Sequence, residues 1–316
     1  MATYKTYESV GNREDLTDVI YNISPTDTPF MSSVGKTKAT AVYHEWQTDS
    51  LAAASTANAA IEGADASSAT MSPTTRVGNR TQISQKTIQI AGTLESIDKA
   101  GRKSEKAYQL SKASAELKRD MEKILLSNQA AVTGDASTAR KLGSLQAWLE
   151  TNTDLGASGV AGSDGSTART DGTDRAFTET ILKNVVKSCY ENGGNPSVLM
   201  VTPTQKQVVS GFAGIAEQRY QAPSNKPTTI VGAADVYLSD FGTLSVVPNR
   251  FMTAEADGGE QAFVLDPEYA AIAYLRPFAT NELSKTGDSE KTQLLVEYTL
   301  EVKNEAAHGI AADLAE

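Results

Sequence analysis

Between Thr93 and Leu126 the chain alternates apolar and polar side chains on the period of a helix. In the second half of that stretch Leu110, Ala113, Leu117, Met121, Ile124 and Leu125 recur at three- and four-residue steps, one stripe on a 3.6-residue turn. Charged side chains fill the remaining surface. Glu95 before Lys99 and Asp98 before Arg102 have the acid-first order that supports a solvated helix face. No proline interrupts the run, so the pattern predicts one helix over 93–126, roughly 50 Å long at about 1.5 Å per residue. A folded chain of this length has a radius of gyration of roughly 20 Å, so such a helix crosses the body of the protein. Gly101 is its weak point, where a bend or break costs least.

Upstream, Leu16, Val19, Ile20 and Ile23 share one helical face in DLTDVIYNISP before Pro25 stops the turn. Thr28 followed by Pro29 reads as a cap and first position for one further turn, ended by Gly35. Residues 1–37 thus read as an arm of small pieces. Two runs rich in β-branched and aromatic side chains, 39–48 and 76–90, predict the strands of a ribbon. The connecting LAAASTANAAIEGADASSATMSPTT has neither helical nor strand period. The unit 38–91 is therefore a long β-hairpin with an extended tip that has no core of its own.

Residues 92–133 carry the long helix. From 134 to 260 the pattern is mixed, beginning with an insertion near 150–175 rich in glycine, serine, threonine and aspartate, which reads as a flexible surface excursion. Thr178 caps a predicted helix carrying Ile181, Leu182, Val185, Val186 and Cys189, and SVLMV at 197–201 is a buried type of strand. Thr202-Pro203-Thr204-Gln205 has the form of a capping box, and DVYLSD and TLSVVPN supply two more strands. Residues 261–303 are β throughout, with two long runs pairing across a polar loop at 279–291, and 304–316 adds a final strand. The fold class is α+β.

At 316 residues the chain can bury a large core or two lobes. Its net charge of -10 argues against affinity for nucleic-acid phosphates or for an anionic membrane surface. No apolar run approaches the roughly 20 residues that span a bilayer, and the first residues lack the apolar segment of a signal peptide. One cysteine excludes an internal disulfide framework, which agrees with a cytosolic site of synthesis.

Catalytic patterns are fragmentary. His44-Glu45 begins the zinc-binding H-E-x-x-H pattern, but Thr48 stands where the second histidine belongs. Asp240-Phe241-Gly242 matches a kinase tripeptide without the glycine-rich or catalytic loops, and reads as a turn between strands. Asp164, Asp171 and Asp174 fail the spacing of a calcium loop. Cys189 falls on the apolar face of its helix, where cysteine is an inert small hydrophobe. No catalytic residue, cofactor or metal is expected.

The order of parts is itself a signal: arm, long hairpin, long helix, α+β unit, β-hairpin with a polar loop, final strand. With the runs NREDLTDVIYNISPTDTPFMSSVGK, HEWQTDSL, DKAGRKSE, ELKRDMEKILLSNQAA, TIVGAADVYLSDFGTLSVVPNR, FVLDPEYAAIAYLRPF and LLVEYTLEVKNEAAHGIAADL, it resembles the major capsid protein of tailed bacteriophages, the Hong Kong 97-type fold. The resemblance covers nearly the whole chain.

It implies an N-terminal arm (1–37), an extended loop (38–91), a spine helix of the peripheral domain (92–133), an axial domain (134–260), a peripheral-domain hairpin (261–303) and a C-terminal strand returning to the axial domain (304–316). It also implies pentamers and hexamers, assembled in a host cytoplasm into an icosahedral virion shell around double-stranded DNA. Portal and scaffold proteins, and a decoration protein, would be its partners. Contacts between subunits are expected at Leu16, Ile20 and Phe30 of the arm, at Leu51, Ile61 and Met71 of the tip, and at Glu282, Lys285 and Lys291 of the polar loop. Some family members cross-link through a lysine of the extended loop, but 47–75 contains none. The chain starts close to the arm, so any scaffold is expected to be separate or already removed. The rival readings are an encapsulin-like shell around a cargo protein and, more distantly, a soluble enzyme with metal in the aspartate-rich loop.

Overall fold

The computed structural model describes residues 24–63, 65, 68, 71–212, 235–252 and 259–315. The first amphipathic turn, with Leu16 and Ile20, lies outside them. The described chain opens on one helical turn, α1 (Pro29–Ser33), with proline at its first position. Phe30, Met31 and Val34 are buried. β1 (Gly35–Lys38) then pairs in parallel with β10 (Ala270–Leu283), at one edge of a four-stranded sheet. Its order is completed by β11 (Ser289–Val302) and β4 (Gln82–Ala91), both antiparallel to their neighbours.

Between β1 and β4 the chain leaves this sheet as a two-stranded ribbon, β2 (Tyr43–Thr48) against β3 (Thr75–Arg80). The run expected as one strand over 76–90 is therefore two strands in different sheets. They part at Thr81, which is fully buried. Its N–H donates to the Val42 carbonyl (2.8 Å), its hydroxyl donates to Glu297 (2.9 Å), and its carbonyl accepts from Arg140. Held on three sides, the backbone turns there from ribbon to sheet.

The helix expected over 93–126 is divided too. α2 (Gly92–Ser96) is a single turn, and α3 (Glu105–Leu126) has 22 residues, about 33 Å at 1.5 Å each. Gly101 between them has φ +76°, a left-handed conformation that glycine adopts without a Cβ penalty. Ser104 restarts the helix by accepting from the Ala107 N–H at 3.2 Å. Ala113, Leu117, Met121 and Leu125 are buried as the stripe requires, and Leu110 and Ile124 are half-buried. Lys86 on β4 ties the sheet to α3 through Glu116 and Asp120, each at 3.1 Å.

After the short α4 (Leu145–Trp148), the chain builds a second sheet from β5 (Thr153–Asp154), β6 (Val198–Val201), β7 (Val236–Ser239), β8 (Gly242–Pro248), β9 (Glu260–Leu265) and β12 (Gly309–Leu314), in the order β5-β12-β9-β6-β8-β7. The helices α5 (Glu179–Glu191) and α6 (Pro203–Ser210) are capped as the sequence predicts. The Ile181 N–H donates to Thr178 (3.4 Å) and the Gln205 N–H to Thr202 (3.2 Å). Both faces of the sheet centre are covered. Met200, Phe263, Leu265, Ile310 and Ala312 face a core shared with α3, β10 and β11, while Leu199, Val201, Ala262, Val264, Ala311 and Leu314 face one shared with α5. This is the period of two that a strand imposes, with apolar groups on either side.

Three further expectations change. β9, expected with the 261–303 unit, pairs with β6 and β12 in the six-stranded sheet, because its residues are buried on both faces and suit a central strand. The polar loop expected over 279–291 shrinks to 284–288, since both strands continue on either side of it with their polar residues in solvent. The insertion near 150–175 is folded down and is not a free excursion. Its Arg169 is buried against Asp313 (2.6 Å) and Asp171 (2.5 Å), and Asp313 also accepts from the Gly156 N–H at 2.8 Å. A Cβ on Gly156 or Gly162 would lie within 2.6 Å of backbone, so the glycines that read as flexibility are there for close packing.

Candidate assembly surfaces

The ribbon is clamped at its root. Asn79, 1% exposed, donates to the carbonyls of Gly143 (2.8 Å) and Leu300 (2.9 Å) and accepts from the Gly143 N–H (2.8 Å). Trp46 on β2 packs on Trp148 of α4, ring centroids 5.4 Å apart. His44 Nε2 lies 3.2 Å from Glu301, which also accepts from the Thr37 hydroxyl at 2.7 Å. Glu297, buried beside Thr81, pairs with the guanidinium of Arg140 and with that of Arg276 (2.7 Å). The Asn79 amide, the Glu301 carboxylate and the Glu297 carboxylate are thus all engaged within the subunit.

Beyond the last ribbon pair, Thr48 with Thr75, the situation reverses. No strand occurs among the described residues of the tip, and Leu51, Ile61 and Met71 are 98%, 83% and 92% exposed. Gly63 turns the chain at φ +79°. Along the sequence Leu51 and Met71 lie close to the ribbon's two ends and Ile61 midway between them, among small residues.

The polar loop projects at the other end of the four-stranded sheet. Lys106 of α3 pairs with Glu282 (2.8 Å) and Glu290 (3.2 Å), and Lys285 pairs with Glu290 (2.8 Å). Lys285 and Lys106 together hold the Glu290 carboxyl below the usual range. Lys291 donates to the Thr286 hydroxyl at 3.2 Å. Glu282, Lys285 and Lys291 are thus engaged with their own subunit, at its surface. Phe30, expected at a contact, is instead fully buried in the subunit core. Its place is corrected because its turn packs against α3.

Sequence reasoning missed an exposed apolar patch: Val236 and Leu238 on the edge strand β7, and Phe241 stacked on Tyr190 with ring centroids 4.8 Å apart. The signal was present in DVYLSD, where apolar residues flank the buried Tyr237 on the opposite face. Leu94 and Ile97, read as part of one long helix, are half exposed around the break. The side chains with catalytic potential are spent elsewhere. Burial pushes the Cys189 thiol up to about 12, and His308 is buried with Nδ1 accepting from the Asp266 N–H at 3.3 Å. Among the described residues no group of ligating side chains is placed to hold a metal ion, and no helix is long and apolar enough to cross a membrane.

The model of the SU10 major capsid protein family matches residues 3–315. The chain belongs to that family. The major capsid protein of Escherichia phage Phieco32 is 28% identical over 346 residues, covering 97% of this chain and 96% of that one. Among solved structures, the cyanophage A-1(L) capsid asymmetric unit matches with a TM-score of 0.68 at 12% identity, covering 99% of both chains. The capsid of a native GTA particle matches at 0.64 and 11% identity, covering 98% of each. An encapsulin complex from Synechococcus elongatus matches at 0.56 and 9% identity, covering 96% of this chain and 93% of that one. At such identities these structures establish the Hong Kong 97-type fold, while the family establishes the role, a phage major capsid protein. A fold shared with an encapsulin does not by itself choose a shell's contents.

Proposed function

We propose that this major capsid protein assembles as pentamers and hexamers into an icosahedral head shell enclosing double-stranded DNA. In this reading the extended ribbon and the arm lie over neighbouring copies, the four-stranded sheet with α3 forms the peripheral domain, and the six-stranded sheet forms the axial domain. A portal and a scaffold protein take part in assembly, and a decoration protein can cover the outside. No cofactor or catalytic step is required.

The observation that carries this is the contrast between a root tied to the subunit through Asn79, Glu297, Glu301 and the Trp46–Trp148 contact and a tip with three large apolar side chains in water. Magnitudes say what the tip needs. Burying three such side chains is worth about 5–9 kcal/mol at about 1.5–3 each. Ordering a backbone segment costs about 1–2 kcal/mol per residue, so the anchors alone cannot fix a tip of this length. A neighbouring copy must also bury its alanine and threonine methyl groups and accept main-chain hydrogen bonds, which requires the tip to lie flat along a surface.

The test is electron cryomicroscopy of the expressed full chain beside a variant lacking residues 50–73, with circular dichroism to confirm folding. Closed shells from the full chain, and folded but unassembled subunits from the deletion, are expected. Normal shells from the deletion contradict the role of the tip. Particles from infected cells that hold a cargo protein and no DNA favour the encapsulin-like reading.

A further inference from the structure

Thr28 precedes α1 in the position of an N-cap, yet its side chain makes no capping hydrogen bond. The two main-chain N–H groups left over at that helix start are taken by a residue 92 and 91 positions further on. Phe30 N–H donates to Glu122 Oε1 at 2.7 Å, and Met31 N–H donates to Oε2 at 2.9 Å. Glu122 lies on α3 and is fully buried. Its Oε1 also accepts from Asn249 Nδ2 at 2.7 Å, and Asn249, just past β8, donates its own N–H to the Val201 carbonyl at 2.8 Å. One carboxylate thus joins the arm, α3 and the six-stranded sheet.

From α1 and from the sheet it meets only amide donors. On its own helix Arg119 is stacked over Phe251 (5.5 Å) and Lys123 is exposed, and its hydrogen-bond partners among the described residues are amide donors with no cation among them. A carboxylate buried with three donors and no countercharge is costly. Hydrophobic packing alone would be better served by methionine or leucine. What the acid supplies is direction, because two adjacent N–H groups aimed at two oxygens of one carboxylate fix the orientation of the turn.

We propose that Glu122 is a positioning residue, a latch that sets where the N-terminal arm leaves the body of the subunit, and thereby the geometry in which copies assemble. The second half rests on the reading of the arm as an assembly element. The first half is a property of the single subunit. Replacing Glu122 by methionine keeps the volume and removes the acceptors, and Glu122→Gln keeps one acceptor but turns an amide N–H toward donors.

Hydrogen exchange on the full-length chain reads the latch. Protection at Phe30 and Met31 is expected to fall roughly 10- to 100-fold in both variants, the loss of hydrogen bonds to a charged group, with Leu117 to Leu125 unchanged. Unchanged protection at Phe30 and Met31, or equal loss across α3, overturns the latch. Should Glu122→Gln fail to fold, Glu122→Met, which leaves the donors unpaired but sets no N–H against them, carries the same test. Electron microscopy then reads assembly: aberrant or open particles from a variant with intact α3 support the proposal, and wild-type particles from a variant with a freed arm overturn it. Failure of the unmodified chain to form any shell counts against the assembly reading, and leaves the exchange result standing.

Discussion

Single buried side chains make the sharpest claims. Leu117 is 1% exposed in the core that α3 shares with β10 and β11. An aspartate there would sit among apolar side chains, and an uncompensated buried charge costs about 3–5 kcal/mol, a large part of a domain's stability. Leu117→Asp is expected to yield aggregated or unfolded subunits in a sedimentation assay, and a soluble variant that still assembles contradicts the facing of the helix. Glu122 adds a pH dependence. Burial pushes its carboxyl above the usual glutamate range, although the N–H groups of Met31 and Phe30 and the Asn249 amide favour the ionised form. The folded state therefore holds this proton to higher pH than the unfolded chain does. Its contribution is fully present below the unfolded value of about 4.3 and is lost as pH rises through the raised one. Urea midpoints of the wild type relative to Glu122→Gln are expected to fall between about pH 4 and neutrality, and a constant difference rules this out. Phe30 shows why the sequence alone misplaced one contact: an apolar residue in a short arm looks available, and the partner of its N–H lies 92 positions further on.

At the scale of elements, what could be read locally was read, and what depended on distant partners was not. The break at Gly101 was marked by its own residue, and the caps at Thr178 and Thr202 by theirs. The tip was legible because a missing period is a local fact. The turn at Thr81 was not, since Glu297 stands 216 positions away and Arg140 59 away. The insertion near 150–175 looked flexible for the same reason, Arg169 finding Asp313 only 144 positions later. Glu297 is the element-scale test. It takes the Thr81 hydroxyl and two guanidinium groups where ribbon and sheet part. Glu297→Gln leaves Arg140 with a neutral partner at a buried site, a loss of about 3 kcal/mol by the rule for broken buried pairs. A lower denaturation midpoint, with faster amide exchange concentrated in β3 and the start of β4, is expected. An undisturbed root means that the Trp46 and Asn79 contacts suffice to hold the ribbon.

For the whole molecule the deciding quantity is charge. Each copy carries a net -10, and a closed shell multiplies that by its many subunits. Protein that holds DNA by its phosphates does so with lysine and arginine that displace counterions, and affinity then falls steeply as salt rises. Two of the four lysines in α3 are already committed, Lys106 to Glu282 and Glu290 and Lys112 to Glu116. If the shell encloses double-stranded DNA as proposed, a wall of this composition lets it slide past without being trapped. Empty assembled shells, opened and mixed with linear duplex DNA at about 150 mM salt, are expected to retain none on a sizing column, with no salt-dependent release to measure. Retention that weakens steeply with added salt would reveal a cationic inner surface hidden by the overall charge. Containment would then rest on binding, and the acidic balance would belong to the outer face.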